Sequence, residues 1–277
     1  MIPSSYSCGT SSANANVRDY WNAEPCGARG VGLHDRKTFF DEIEEERYRW
    51  EPYIFDFARF AEGKGKLLPE IGVGAGTDFV NWVRHGAKCC GVDLIGQGVR
   101  LTLERLRLEE LRVDVLQADT EKLPLPSDQF NIVYSYGVLH HSPHTAQAIA
   151  EVHRVLSPGG TARIMIYHVN GLVCWLIWIC HCLARLRLWK GRRWAICRYL
   201  ESPGTKAYSI PEAKALFARF SAVTLRTQLS HGDLLLMRPH AKYRNWYHRL
   251  AWQLYPRWAV RLGGNRFGTG LLIQATK

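Results

Sequence analysis

Residues 67–76 read Leu-Leu-Pro-Glu-Ile-Gly-Val-Gly-Ala-Gly, and seventeen residues after the last glycine an apolar run ends in Asp93. A short apolar run closed by an acidic residue, Glu70, and then by Gly72, Gly74 and Gly76 predicts a strand, a tight turn and the start of a helix. Lacking a Cβ, such a turn can take positive φ and let a ligand lie against the backbone. The helix behind it is expected to use Thr77 or Asp78 as its cap, and its first amides, unpaired within the helix, face the ligand. The next strand, Lys88–Asp93, delivers a second carboxylate to the same edge, where it can accept hydrogen bonds from both hydroxyls of a ribose. A nucleoside-bearing cofactor is expected there.

The glycine spacing separates two kinds of nucleoside cofactor. A dinucleotide fingerprint, G-x-G-x-x-G, would need a third glycine at 77, where this chain has Thr77; here the run is G-x-G-x-G with Glu70 directly upstream. Downstream, 113–117 reads as a short strand followed by Ala118, Asp119 and Thr120. Phe130–Tyr136 reads as a fourth strand followed by Gly-Val-Leu-His-His-Ser-Pro. A helix over Thr145–Val155 then runs into Leu-Ser-Pro-Gly-Gly, and 161–167 is a fifth strand. Apolar strands alternating with helices of ten or more residues predict a doubly wound α/β sheet.

The series Glu-x-Gly-x-Gly-x-Gly, Asp-x-x-x-Leu-Pro, Val-Tyr-Ser-x-Gly-Val-Leu-His-His and Leu-x-Pro-Gly-Gly resembles class I S-adenosylmethionine-dependent methyltransferases of the group called type 11, related to quinone-biosynthesis and natural-product enzymes. The resemblance covers roughly 66–167, and more weakly 205–228 and the last strand. It implies a seven-stranded, mostly parallel Rossmann-like sheet with an N-terminal helical lid and two helical insertions. It also implies that Glu70 and the amides of Gly72, Gly74 and Gly76 hold the methionine end of the cofactor, with backbone near Tyr136. Asp93, with Leu94 beside it, takes the ribose, and Asp119 with Thr120 takes the adenine. One departure stands out: Pro69 replaces the usual aliphatic residue before the acid. A proline in a central strand removes a ladder hydrogen bond, so a bent or incompletely paired first strand is expected.

Charge divides the chain. Residues 1–150 hold 16 Lys/Arg against 21 Asp/Glu, whereas 151–277 hold 20 against 4 and seven of the ten tryptophans. At this length one domain with insertions is expected: a disordered tail over 1–16, then a single domain over 17–277. Its parts are N-terminal helices (17–62), a cofactor core (63–168), an apolar and basic insertion (169–205), and a C-terminal part (206–277) with a second insertion at 230–266. The tail lacks the apolar stretch of a signal peptide, which points to a cytoplasmic protein. The eight cysteines include no C-x-x-C, so reduced thiols and no metal site are expected.

Two segments speak to the second substrate. In 47–53, Tyr48, Trp50 and Tyr53 are expected to turn toward the site, either as a lid or as a packing stripe. Residues 171–184 are apolar on every face and are followed by Arg185, Arg187, Lys190, Arg192 and Arg193, with Trp189 and Trp194 among them. Fourteen residues fall short of the ~20 that span a bilayer. A shallow helix on an anionic membrane surface or an internal cover over the acceptor both fit, and both imply a lipophilic small-molecule acceptor. His140 and His141 follow the fourth strand at the edge facing the methyl group and are the candidate catalytic bases, His140 first by resemblance. No Asn-Pro-Pro-Tyr follows that strand, which disfavours methylation of adenine or glutamine amino nitrogens. Transfer to oxygen or carbon is the expected activity. The alternatives are an RNA methyltransferase whose basic half grips phosphates, disfavoured because no RNA-binding module is present, and a non-enzymatic, membrane-associated descendant of the fold.

Overall fold

The computed structural model describes Val17, Tyr20, Trp21, residues 35–236 and residues 252–277. The tail assigned to 1–16 and the aromatic stretch at 243–250 lie outside the described residues. Helices α1 (Arg36–Trp50) and α2 (Tyr53–Ala58) precede the sheet, with a 3-10 turn at Phe60–Gly63. The core then alternates: β1 (Leu67–Ile71), α3 (Thr77–Arg84), β2 (Lys88–Asp93), α4 (Gly96–Leu108), β3 (Val115–Gln117), β4 (Phe130–Tyr136), α5 (Thr145–Val155) and β5 (Leu156–Tyr167). After it come α6 (Leu172–His181), α7 (Arg192–Tyr199), α8 (Ile210–Leu216), β6 (Ala222–Gln228), α9 (Arg257–Leu262) and β7 (Gly270–Thr276).

The seven strands form one sheet in the order β3-β2-β1-β4-β5-β7-β6, parallel except for β7, which runs antiparallel to both β5 and β6. Strand order reverses between β1 and β4. In open α/β sheets that switch point is where ligands lie, beyond the carboxyl ends of the strands. Glu70 and Tyr136 sit at those two ends.

Apolar periodicity explains the layers. Along α5, Ala148, Ile149, Val152 and Val155 recur at helical spacing and are buried against Phe130, Val133 and Ile164 of the sheet. On the other face Ile54, Phe57, Leu68, Trp82, Tyr134 and Met165 make a second cluster, joining α2 and α3 to the strands. Pro69 has the expected effect on one side only. Register with β2 runs unbroken from Leu67 to Ile71, whereas register with β4 is confined to Glu70 opposite Tyr134. The Leu67 N–H is instead taken by the Asn131 side chain at 3.0 Å.

Three local expectations are corrected. The cap of α3 is Gly76, in a left-handed conformation, because Thr77 and Asp78 are already inside the helix. The fifth strand begins five residues earlier than expected, at Leu156, and a register shift between Phe130 and Ile132 absorbs the Ser-Pro-Gly-Gly stretch. The apolar run 171–184 is not one helix. It ends as α6 at His181, makes one 3-10 turn over Leu183–Arg185, and then reverses through Leu186 in a left-handed conformation. The capping box foreseen at Ser209 and Glu212 is present at the start of α8.

Candidate cofactor and acceptor site

The glycine loop forms because three successive glycines take positive φ: 83° at Gly72, 55° at Gly74 and 77° at Gly76. At Gly72 the need is also spatial, since a Cβ there would lie 2.1 Å from Val138 Cγ2. Glu70 stands at the floor of this loop. It is buried, and its Oε2 has no hydrogen-bond partner among the described residues. Burial raises its pKa well above the usual carboxylate range, and Asp78 and Asp93 push the same way against Arg47. The amides of Gly72 and Gly76 are bonded to the Val92 and Val73 carbonyls, so the carboxylate is the unsatisfied group under this loop, and it suits a ligand that brings its own cation.

Asp93 ends β2 as expected, and its carboxylate faces the loop. Oδ2 accepts from the Gly74 amide at 2.8 Å and Oδ1 from the Ile95 amide at 2.9 Å. Burial raises its pKa while the amides of Gly74, Ile95 and Leu94 oppose the rise. A carboxylate offers about four acceptor positions, so these amides do not exhaust it and a ligand hydroxyl can still be accepted. The helix behind it must come close: a Cβ on Gly98 would lie 2.9 Å from Asp93 Oδ2. Leu94 is half-buried beside Asp93. Asp119, half-buried at the end of β3, folds its Oδ1 onto the Glu121 amide at 2.9 Å, and Thr120 beside it is buried.

Helix α1 is fastened over the start of α3. Buried Asp78 accepts from Arg47 Nε at 2.8 Å, Tyr48 Oη at 3.0 Å and Tyr134 Oη at 2.8 Å. Asp78 therefore ties the N-terminal helix to the glycine loop. Of the three aromatics expected to turn inward, Tyr48 and Tyr53 do so. Tyr53 Oη meets Tyr136 Oη at 2.8 Å.

That contact opens a network that sequence reasoning missed. Glu51 is buried and accepts from Tyr53 Oη at 2.8 Å and Tyr136 Oη at 3.1 Å, and His231 Nδ1 lies 3.2 Å from its Oε1. Burial opposes ionisation of Glu51, yet the bond and charge of His231, with Arg47, hold its pKa below the ordinary value. For His231 burial works against the imidazolium, but the bond to Glu51 raises its pKa and the Glu201 carboxylate adds to the rise. The partners lie 180 residues apart, so no local signal could have joined them.

The two expected bases sit deeper. His140 is fully buried, its ring 4.1 Å from that of Tyr167 and 4.2 Å from that of His141, and neither ring nitrogen has a hydrogen-bond partner among the described residues. Burial, with the charges of His141 and Lys206, keeps its pKa well below the usual histidine value. His141 is held at Nδ1 by Ser202 Oγ (2.9 Å) and Thr205 Oγ1 (3.1 Å). Its Nε2 lies 3.3 Å from Glu201 Oε2, and Trp21 packs edge-on at 5.3 Å.

Residues 69–164 match the family model described as a methyltransferase domain, over the part of the sheet that carries Glu70, the glycines, Asp93, Asp119 and the histidine pair. Residues 69–164 are a methyltransferase domain of the class I S-adenosylmethionine-dependent type. Among curated relatives of this methyltransferase, phthiotriol/phenolphthiotriol dimycocerosates methyltransferase 1 of Mycobacterium ulcerans is 30% identical over 168 residues, 55% of this chain and 60% of the relative. The ubiquinone/menaquinone biosynthesis C-methyltransferase UbiE of Neisseria meningitidis is 30% identical over 119 residues, 42% of this chain and 48% of the relative. The chain thus spans 60% or less of the length of either relative. Among solved structures, geranyl diphosphate C-methyltransferase from Streptomyces coelicolor superposes with TM-score 0.57 at 15% identity, covering 96% of this chain and 98% of that one. The [4+2]-cyclase SpnF superposes with TM-score 0.54 at 16% identity, covering 100% and 97%. These likenesses establish the fold. The cofactor of such domains is S-adenosylmethionine, and the site fits it: the ammonium of its methionine end would supply a cation for the unpartnered Glu70 oxygen.

Proposed function

We propose that this methyltransferase moves a methyl group from S-adenosylmethionine to an oxygen or carbon of a lipophilic small molecule reached at an anionic membrane surface. The observation that carries the cofactor half is the unpartnered Glu70 carboxylate beneath the positive-φ glycine loop. In this reading Glu70 holds the ammonium, Gly72, Gly74 and Gly76 offer backbone to the methionine carboxylate, Asp93 with Leu94 takes the ribose, and Asp119 with Thr120 takes the adenine. Tyr136 closes the methyl end. The bound cofactor supplies an electrophilic methyl on a sulfonium, so the protein's task is mainly alignment. His140 is the proton acceptor, kept neutral by its burial, and His141 beside it is oriented by Ser202 and Thr205.

The acceptor half rests on α6 and the basic turn beyond it. Within α6 only Cys174 and His181 are buried, while Trp175 and Ile179 are each 41% exposed. Leu186, Leu188 and Trp189 stand further out, among Arg185 and Arg187, and the Arg192 guanidinium lies 3.9 Å over the Trp175 ring. Asp233 ties a second apolar and basic element to this one: its Oδ1 accepts from the Val173 amide, and its carbonyl accepts from Tyr255 Oη just before α9, where Trp258 and Leu262 are exposed. Exposed tryptophan and leucine among arginines suit the headgroup level of an anionic bilayer. Among the described residues no helix is long and apolar enough to cross a membrane. The relatives named for phthiotriol and quinones, and a structural neighbour named for geranyl diphosphate, agree with a lipophilic acceptor.

The test is to incubate purified protein with methyl-labelled S-adenosylmethionine and a cell extract, then partition the products. Label in the organic phase is expected. Nuclease-sensitive label in the aqueous phase would overturn the acceptor half in favour of RNA.

A further inference from the structure

The network around Glu51 has a direction. Its carboxylate is buried and fixed by two tyrosine hydroxyls, Tyr53 and Tyr136, of which Tyr136 ends β4 at the switch point of the sheet. The third partner, His231, differs from the others in being open: 38% of its side chain is exposed, against 7% for Glu51. One ring nitrogen, Nδ1, is spent on the carboxylate, which leaves the second ring nitrogen as the one that a ligand could meet. The charged groups that act on it are Glu51 and Glu201, which favour its protonated form, and Arg47, which opposes it but is itself bound to Asp78. Glu201 in turn lies 3.3 Å from His141, whose ring packs on His140. Glu201 thus acts on both His231 and the histidine pair.

We propose that His231, held by Glu51, is an oxyanion site: its second ring N–H donates a hydrogen bond to the ionised oxygen of the acceptor, a phenolate- or enolate-type group. The inference rests on the methyl-transfer reading and completes its proton balance. The acceptor O–H bond breaks, its proton passes to His140, and the negative charge left on oxygen faces the His231 N–H. One histidine must be neutral and the other cationic for this to work, and their environments push them in those opposite directions.

The test uses the full-length protein saturated with S-adenosylhomocysteine, with its affinity measured by calorimetry in the same samples, and 4-nitrophenol as the probe, since its ionised form is coloured. Bound dye is expected to ionise at a pH lower than free dye by about one unit or more, a tenfold bias toward phenolate. His231→Gln, at a half-exposed position that tolerates replacement, is expected to abolish the shift without changing S-adenosylhomocysteine affinity; Glu51→Gln should reduce it. A shift that survives His231→Gln overturns the proposal, as does dye that binds unshifted or does not bind. If S-adenosylhomocysteine itself fails to bind, the cofactor reading has failed along with it; normal cofactor affinity with an unshifted dye removes only the role of His231.

Discussion

The most informative residue here is Glu70, whose buried Oε2 finds no partner among the described residues. Glu70 is buried beside two other acids, and its ionised form is held at a cost until a cation arrives. Because its pKa is raised in the free protein, binding the ammonium of S-adenosylmethionine should pull it into the ionised state and release a proton. Calorimetry in buffers of different ionisation enthalpy measures this directly. Proton release is expected for the wild type and absent in Glu70→Gln, and identical heats in every buffer would remove the assignment. Asp93 differs in being already bonded to the Gly74 and Ile95 amides. Asp93→Ala should therefore both loosen the loop and lose the ribose, weakening cofactor affinity by about tenfold or more, roughly 1.4 kcal/mol. An unchanged affinity would sink the ribose role. For His140→Ala the expectation is a fall in turnover of about a hundredfold with cofactor affinity retained; normal turnover would leave His140 a packing residue against Tyr167.

At the scale of elements, the proposed function uses the glycine loop and the α6 region in opposite ways, one by tight fit and the other by exposure. Gly72→Ala meets both a left-handed backbone and the Val138 side chain. The backbone alone costs about 1–2 kcal/mol. Thermal unfolding should show at least that loss, and adding Val138→Ala should recover only the steric part. The loop was legible because a glycine run followed by an acid-ended strand has few other uses. Its cap was not, because whether Asp78 caps α3 or serves α1 depends on Arg47, Tyr48 and Tyr134, which arrive from other elements. For α6, length showed that 171–184 was too short to span a bilayer, and the fold added that Trp175, Ile179 and Cys180 face outward while Cys174 and His181 are buried. Flotation with anionic vesicles is expected for the wild type and should fall by on the order of a hundredfold when Arg185, Arg187 and Arg192 become Gln, given about 1 kcal/mol per basic residue near such a surface. Arg193 is left intact in that variant because it bridges Glu212 at 2.7 Å and supports α8. Wild-type protein that stays with the soluble fraction would assign the apolar face to another partner.

Across the whole molecule, the pair that joins the N-terminal helices to the turn after β6 should leave a mark on stability. His231 has a raised pKa, so its contribution is complete below its unfolded value of 6.5 and fades as pH rises through the folded value. Glu51 has a lowered pKa, so its contribution is complete above 4.5 and fades as pH falls through the folded value. The gap in melting temperature between the wild type and Glu51→Gln should therefore be widest between these two values and narrow on either side. A gap that does not vary with pH would show that the two groups are not an ion pair.

Sequence by itself determined the doubly wound sheet and the succession of its first five strands along the chain, and it singled out the residues proposed for the cofactor, because these depend on short-range rules: apolar runs that end in acids, glycines where a backbone must turn left-handed, and helices of the right period between them. Even the consequence of Pro69 could be foreseen, though not that it would fall on the β4 side alone. Only the tertiary structure decided the acceptor side. Glu51 and Tyr53, Tyr136, and His231 come from three separate segments, and His141 meets Glu201 across sixty residues. What brings such groups together is burial and packing of whole elements, which leaves no spacing in the chain to read.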